Sequence, residues 1–181
     1  MNYILFFPDE LRAETLSCYG NGAIQTPNFD RLAAEGVLFE QCHVQNPVCS
    51  PSRCSLFTGQ YVHVNGHRTL WNLLQPQEHN LMRYLKDAGY EVRVYGKNDL
   101  LSPEAAAISA DVFENKGTHT AFPPALSETG DDFLFAETPG EVTEHSDYRN
   151  VQAAMDFIRN RKPDDKPFFL FLPLRLPHFP F

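Results

Sequence analysis

The chain has 181 residues, 43% of them hydrophobic and 21% charged, with fifteen Phe and seven Tyr. That is enough apolar material for one ordinary domain with a real core, and it argues against disorder. Fifteen basic against twenty-three acidic residues leave a formal charge of −8, which argues against a general basic nucleic-acid footprint, so a bound anion needs a focused local site. Tyr3-Ile-Leu-Phe-Phe7 is a short apolar run, as expected of a strand buried on both faces. Thr26 and Pro27 open a helix that shares Phe29, Leu32 and Ala33 on one face and ends at Gly36. Val37 to Phe39 then reads as strand. Ser50-Pro51 opens a second helix that closes at Gly59, and 78–88 is a third, ended by Gly89. Tyr90 to Tyr95 is strand, 146–161 helix, and Phe168 to Leu172 a buried strand. Between 102 and 143 the pattern dissolves into Pro, Gly, Glu and Thr, read as a long loop or insertion. The alternation predicts an α/β fold with a mostly parallel sheet and helices on both faces.

No apolar run approaches the ~20 residues of a membrane helix, so no membrane partner is expected. Met1 and the short apolar stretch after it carry no basic segment and no small-residue cleavage site, so the expected location is cytoplasmic. Cys18, Cys42, Cys49 and Cys54 form no Cys-x-x-Cys pair, which argues against a zinc knuckle, and a sizeable core argues against a disulfide framework. The last residues, Pro177-His178-Phe179-Pro180-Phe181, follow a buried strand without a terminal helix or polar tail, so a fragment of a longer polypeptide is expected.

The richest stretch is Cys49-Ser50-Pro51-Ser52-Arg53-Cys54-Ser55-Leu56-Phe57-Thr58-Gly59. With Pro51 in the first helical turn, Cys49 stands beside a helix N-terminus, where free N–H groups favour an anion. Arg53 lies about one turn on and can fold back toward the same point. A phosphatase of the Cys-x5-Arg type is eliminated, because the required positions hold Ile24, Val48, Ser55 and Gln60. A Cys–His hydrolase stays open by spacing, but it gives no reason for Pro51 or Arg53.

Cys-x-Pro-Ser-Arg followed by Ser-Leu-x-Thr-Gly resembles the formylglycine signature of the type I sulfatase family, within the alkaline phosphatase superfamily. Four further segments resemble the same family in the same order. They are Ile4 to Glu10, Cys18 to Ala33, Gly89 to Lys97, and Pro167 through Pro177-His178-Phe179-Pro180. The resemblance implies that residues 1–181 are the N-terminal portion of a sulfatase catalytic domain. It implies that a separate formylglycine-generating enzyme oxidises Cys49, and that Asp9, Glu10 and residue 49 hold a divalent cation, calcium first and manganese or magnesium as alternatives. It implies that Arg53 holds the hydrated aldehyde while Lys97 and His178 contact sulfate or the leaving group, in the hydrolysis of a small sulfated substrate.

Two positions depart from the family pattern. Glu10 stands where Asp is usual, and Asp99 stands where a His commonly follows the lysine, which shifts weight to His178 as the acid. The family's second metal-binding pair and a further lysine would lie beyond Phe181. The remaining C-terminal half is therefore an expected partner, and residues 1–181 alone are expected to be inert. His67, Asn72 and Asp99 are candidates to face the substrate, and His63 is a weaker one. His43 is expected to pack beside the nucleophile loop, and Asp131-Asp132 to be a solvated turn. Two alternatives remain at this point: a phosphonate monoester or phosphodiester hydrolase with the same formylglycine, and a non-catalytic anion-binding fragment.

Overall fold

The computed structural model describes residues 1–116 and 141–178. These fall into two compact units, Met1–Asp9 with Gln45–Phe181, and Glu10–Val44. Asp131-Asp132 lie outside the described residues.

The first unit is built on a wholly parallel sheet of β1 (Tyr3–Pro8), β2 (Glu91–Tyr95), β3 (Val112–Glu114) and β4 (Phe168–Leu174), in the order β1-β4-β2-β3. Period-two alternation on the central strand gives two cores. Phe169 and Phe171 of β4 join Val92 and Val94 of β2 on one face. Covering that face are α2 (Cys49–Thr58) through Cys54 and Phe57, α3 (Leu81–Asp87) through Met82, and α4 (Pro103–Ser109) through Ala105. The other face gathers Phe168, Leu170, Leu172, Leu174 and Tyr95 under Ala154 and Phe157 of α5 (Ser146–Arg159). β4 is buried along its whole length, as its apolar run predicts. β1 is not buried on both faces. It is the outer strand of the described sheet, with Leu5 and Phe7 packed inward and Ile4 and Phe6 turned 55% and 44% exposed.

Local chemistry sets the element ends. Gly59 closes α2 in a left-handed conformation at φ 69°, as the sequence predicts. α3 starts later than 78 because the Asn80 side chain caps it, accepting from the N–H groups of Met82 and Arg83. α5 ends before Arg161, whose guanidinium is drawn away to Glu91 at 2.8 Å and over the Phe157 and Phe168 rings. The stretch 102–143 is not irregular throughout. Ser102 accepts from the Ala105 N–H and Pro103 occupies the first turn, which starts α4, and β3 follows.

The second unit holds α1 (Pro27–Glu35), preceded by short 3-10 turns at Ala13–Thr15 and Ser17–Tyr19. Thr26 does not cap α1. Its hydroxyl is engaged with Ser17, whose own hydroxyl reaches both Asp30 carboxylate oxygens at 2.8 Å. Val37 to Phe39 is not a strand: no ladder partner pairs it among the described residues, and the Phe39 carbonyl accepts from the Tyr19 hydroxyl at 2.9 Å.

Candidate active site

Parallel strands deliver their C-terminal ends to one edge of the sheet, and the chemistry-bearing residues sit there. β1 ends at Asp9, whose N–H donates to the Leu174 carbonyl at 3.2 Å. β2 runs into Gly96 and Lys97. A Cβ on Gly96 would stand 1.9 Å from the Pro173 carbonyl oxygen, so only glycine lets the chain pass that close to β4. β4 leads through Arg175 and Leu176 to His178. α2 brings Cys49 and, one turn on, Arg53.

These groups converge. Cys49 Sγ lies 3.6 and 3.8 Å from the Asp9 carboxylate oxygens, and Lys97 Nζ lies 3.6 Å from the same sulfur. Lys97 donates to Asp9 and sits 3.0 Å from Asp99. Arg53 is 1% exposed, with its guanidinium 3.5 Å from Asp9 and 5.2 Å from the Phe7 ring centroid. None of its three guanidinium nitrogens has a hydrogen-bond partner among the described residues. Ligand atoms of Asp9, Cys49 and His178 all lie within 4.8 Å of one another.

Charge follows the geometry. Burial acts to raise the Asp9 carboxyl, but the Lys97 hydrogen bond and the Arg53 and Lys97 charges outweigh it and hold Asp9 below its ordinary value. Burial acts to lower Lys97, and its bond to Asp9 and the Asp99 charge raise it instead. Burial, and then the Asp9 charge, push the Cys49 thiol up. Cys49 is therefore not an activated thiolate as it stands. Cys54, on the same helix, is pushed to about 12 by burial and belongs to the core.

The remaining candidates separate. Asp99 joins the cluster through Lys97, with its backbone at φ 38°. Glu10 falls in the second unit, at φ 61°. His67, a candidate to face substrate, is buried and holds two partners. Its Nδ1 meets the Asn72 carbonyl at 2.7 Å and its Nε2 meets Glu78 at 2.8 Å. The Asn72 side chain accepts from the Thr69 hydroxyl. Asp147 was not legible as a site residue. Buried at the start of α5, it accepts from the backbone N–H groups of Arg175 at 2.9 Å and Leu176 at 2.8 Å, and so fixes the turn that presents His178. Its only sequence signal is an acid in the first turn of a helix, which most helices share.

Hard divalent cations favour carboxylate and other oxygen donors, with calcium taking about six to eight. Asp9 supplies a buried carboxylate, and residue 49 supplies oxygen once oxidised. Arg53, beside Asp9 at 3.5 Å, has donors left for additional oxygens. The residues present fit one side of such a shell.

The sulfatase family model matches residues 1–181. The chain belongs to the sulfatase family. It is 30% identical over 182 residues to an N-acetylglucosamine-6-O-sulfatase of Bacteroides thetaiotaomicron, covering 98% of this chain and 30% of that protein. It is 30% identical over 210 residues to an N-acetylgalactosamine-6-sulfatase of Canis lupus familiaris, covering 99% of this chain and 40% of that one. Among solved structures, BT4656 in complex with its substrate D-glucosamine-2-N,6-O-disulfate matches with TM-score 0.74 and 27% identity, over 98% of this chain and 34% of that one. The phosphonate monoester hydrolase of Agrobacterium radiobacter matches with TM-score 0.72 at 22% identity, over 99% of this chain and 41% of that one, which is a likeness of fold. This sulfatase chain thus spans 30% and 40% of the two curated relatives named.

Proposed function

We propose that the full-length sulfatase hydrolyses a sulfate ester through a formylglycine made from Cys49 by a separate modifying enzyme, with a divalent cation beside it. The observation that carries this reading is the convergence of Cys49, Asp9 and Lys97 at a helix start, with a buried Arg53 whose three guanidinium nitrogens lack hydrogen-bond partners among the described residues. A buried guanidinium costs free energy unless it meets acceptors, and an oxygen-rich group at residue 49 supplies them. The relatives named as sulfatases of amino-sugar 6-sulfates support a sulfate ester over a phosphonate.

The chemistry that a hydrated aldehyde at residue 49 supplies is a pair of oxygens on one carbon, one to attack sulfur and one to expel sulfate as the carbonyl re-forms. Asp9 and an oxygen of residue 49 would hold a divalent cation, calcium by the hardness of the donors, which when bound would supply positive charge to polarise the ester. Arg53 holds the residue-49 oxygens in place. Lys97 stabilises charge growing on the sulfate oxygens, and His178 gives a proton to the departing alcohol oxygen.

The test is the mass of the peptide carrying residue 49, from active full-length protein made with the modifying enzyme. Conversion of thiol to aldehyde lowers it by about 18 Da. An intact thiol in fully active protein would overturn the mechanism. Turnover of a phosphonate monoester in preference to an aryl sulfate would move the reading to the phosphonate hydrolases.

A further inference from the structure

A second concave feature lies beside α2, a cavity of about 650 Å³ that no step of the proposed hydrolysis uses. Its walls include Gln60, Asn65, Asn72 and Gln77, and its rim carries Trp71, the one tryptophan of the chain, 88% exposed. Within the lining, Glu78 is tied to His67 at 2.8 Å and to the Gln75 N–H at 2.8 Å, and the His79 and Tyr84 rings meet at a tilt of 35° with centroids 5.4 Å apart. The cavity is also linked to the candidate active site, because the Ser50 hydroxyl donates to the Leu70 carbonyl at 3.2 Å. Trp71 therefore follows directly on a residue anchored next to Cys49.

The chemistry of the lining selects its ligand. It contains no Lys or Arg, and its one carboxylate, Glu78, is already occupied by His67 and Gln75. A sulfate or phosphate group gains nothing there. Side-chain amides both donate and accept, which matches hydroxyl groups of either polarity. An exposed indole offers a flat apolar face edged by one N–H donor, which matches the C–H face of a sugar ring. We propose that this cleft binds an uncharged pyranose of the carbohydrate whose sulfate lies at Cys49, with Trp71 stacked on the ring. The assignment rests on the sulfatase reading of the neighbouring site and adds the class of alcohol. It further implies a sparsely sulfated glycan, since a second sulfate in the cleft would meet no cation.

The experiment uses the full-length protein and titrates N,N′-diacetylchitobiose and lactose, both uncharged, by calorimetry. Binding of at least one is expected, weakened about tenfold or more by Trp71→Ala and largely restored in Trp71→Phe, which keeps a flat ring. In kinetics, Trp71→Ala is expected to lower kcat/KM for a monosulfated disaccharide about tenfold relative to that for an aryl sulfate, mainly through KM. Gln77→Ala is a second variant in the lining, expected to move in the same direction. Absence of disaccharide binding, binding indifferent to both variants, or tighter binding of a polysulfated disaccharide would overturn the proposal. A protein that binds the neutral disaccharides through Trp71 yet turns over no sulfate ester would keep the cleft and sink the proposed hydrolysis instead.

Discussion

Two polar clusters share the first unit, and they use their burial in opposite ways. In the His67 cluster, both ring nitrogens and both Glu78 oxygens have partners, so the buried polar groups are spent on each other. In the Asp9 cluster, Lys97 is divided among Asp9, Asp99 and Cys49, while the Arg53 nitrogens have no hydrogen-bond partner among the described residues. Burial alone does not mark a functional site. Unspent hydrogen-bonding capacity in a buried charged group is the better pointer to a candidate site, because burying donors that meet no acceptor costs free energy.

That contrast can be broken most severely at Asp9. Asp9→Ala leaves the buried Arg53 without its counter-ion and Lys97 with Asp99 alone, and removing one partner of a buried pair costs about 3–5 kcal/mol. Urea denaturation of the full-length protein should show that loss, and metal analysis should show the cation gone. Retained stability with full metal content would place Asp9 outside both roles. Asp147→Ala is expected to act at one remove. It strips acceptors from the Arg175 and Leu176 N–H groups and lets His178 drift, and a displacement of about 1 Å can cost up to ~10²-fold in rate. The sharper readout is the pH profile of kcat, whose acid-group limb should flatten or shift in Asp147→Ala and recover partly in Asp147→Asn. The smallest functional effect belongs to His67→Ala. It strips Glu78 Oε1 and the Asn72 carbonyl of their partner and should lower stability by about 1–3 kcal/mol in a thermal or urea melt, with aryl sulfate turnover little changed. A collapse of turnover at full stability would make His67 a site residue after all.

Much of this was written legibly in the residues, and the exceptions have physical causes. The apolar run of β4 could be read because a doubly covered parallel strand needs an unbroken apolar sequence, and β2 could be read from Val92 and Val94 alternating with Glu91 and Arg93. The same logic overstated β1, whose composition matches β4 while its outer position leaves Ile4 and Phe6 exposed. Position in a sheet is a tertiary fact that no local pattern carries. α4 was legible and passed over, since Ser102-Pro103-Glu104 is a sound helix start within a stretch whose composition looks irregular. Cys49, Arg53, Lys97 and Asp9 could be named from spacing and resemblance. The pairing of His67 with Glu78 was not legible, because a loop histidine shows nothing of its partner until the fold brings Glu78 beside it.

The outer strand that carries Asp9 also sets a clock. Of the described strands β1 is made first and its partner β4 last, with the Asn2 side chain accepting from the Phe168 N–H across 166 residues. At ~5–20 residues per second, synthesis leaves roughly 8 to 33 s between the two. Throughout that interval the carboxylate has no sheet to stand on. The helix bearing Cys49 and the strand leading to Lys97 exist as sequence before their common counter-charge has a fixed address. Among the described strands the charged centre therefore waits on β4, and whatever slows β4 delays Asp9, Cys49 and Lys97 together.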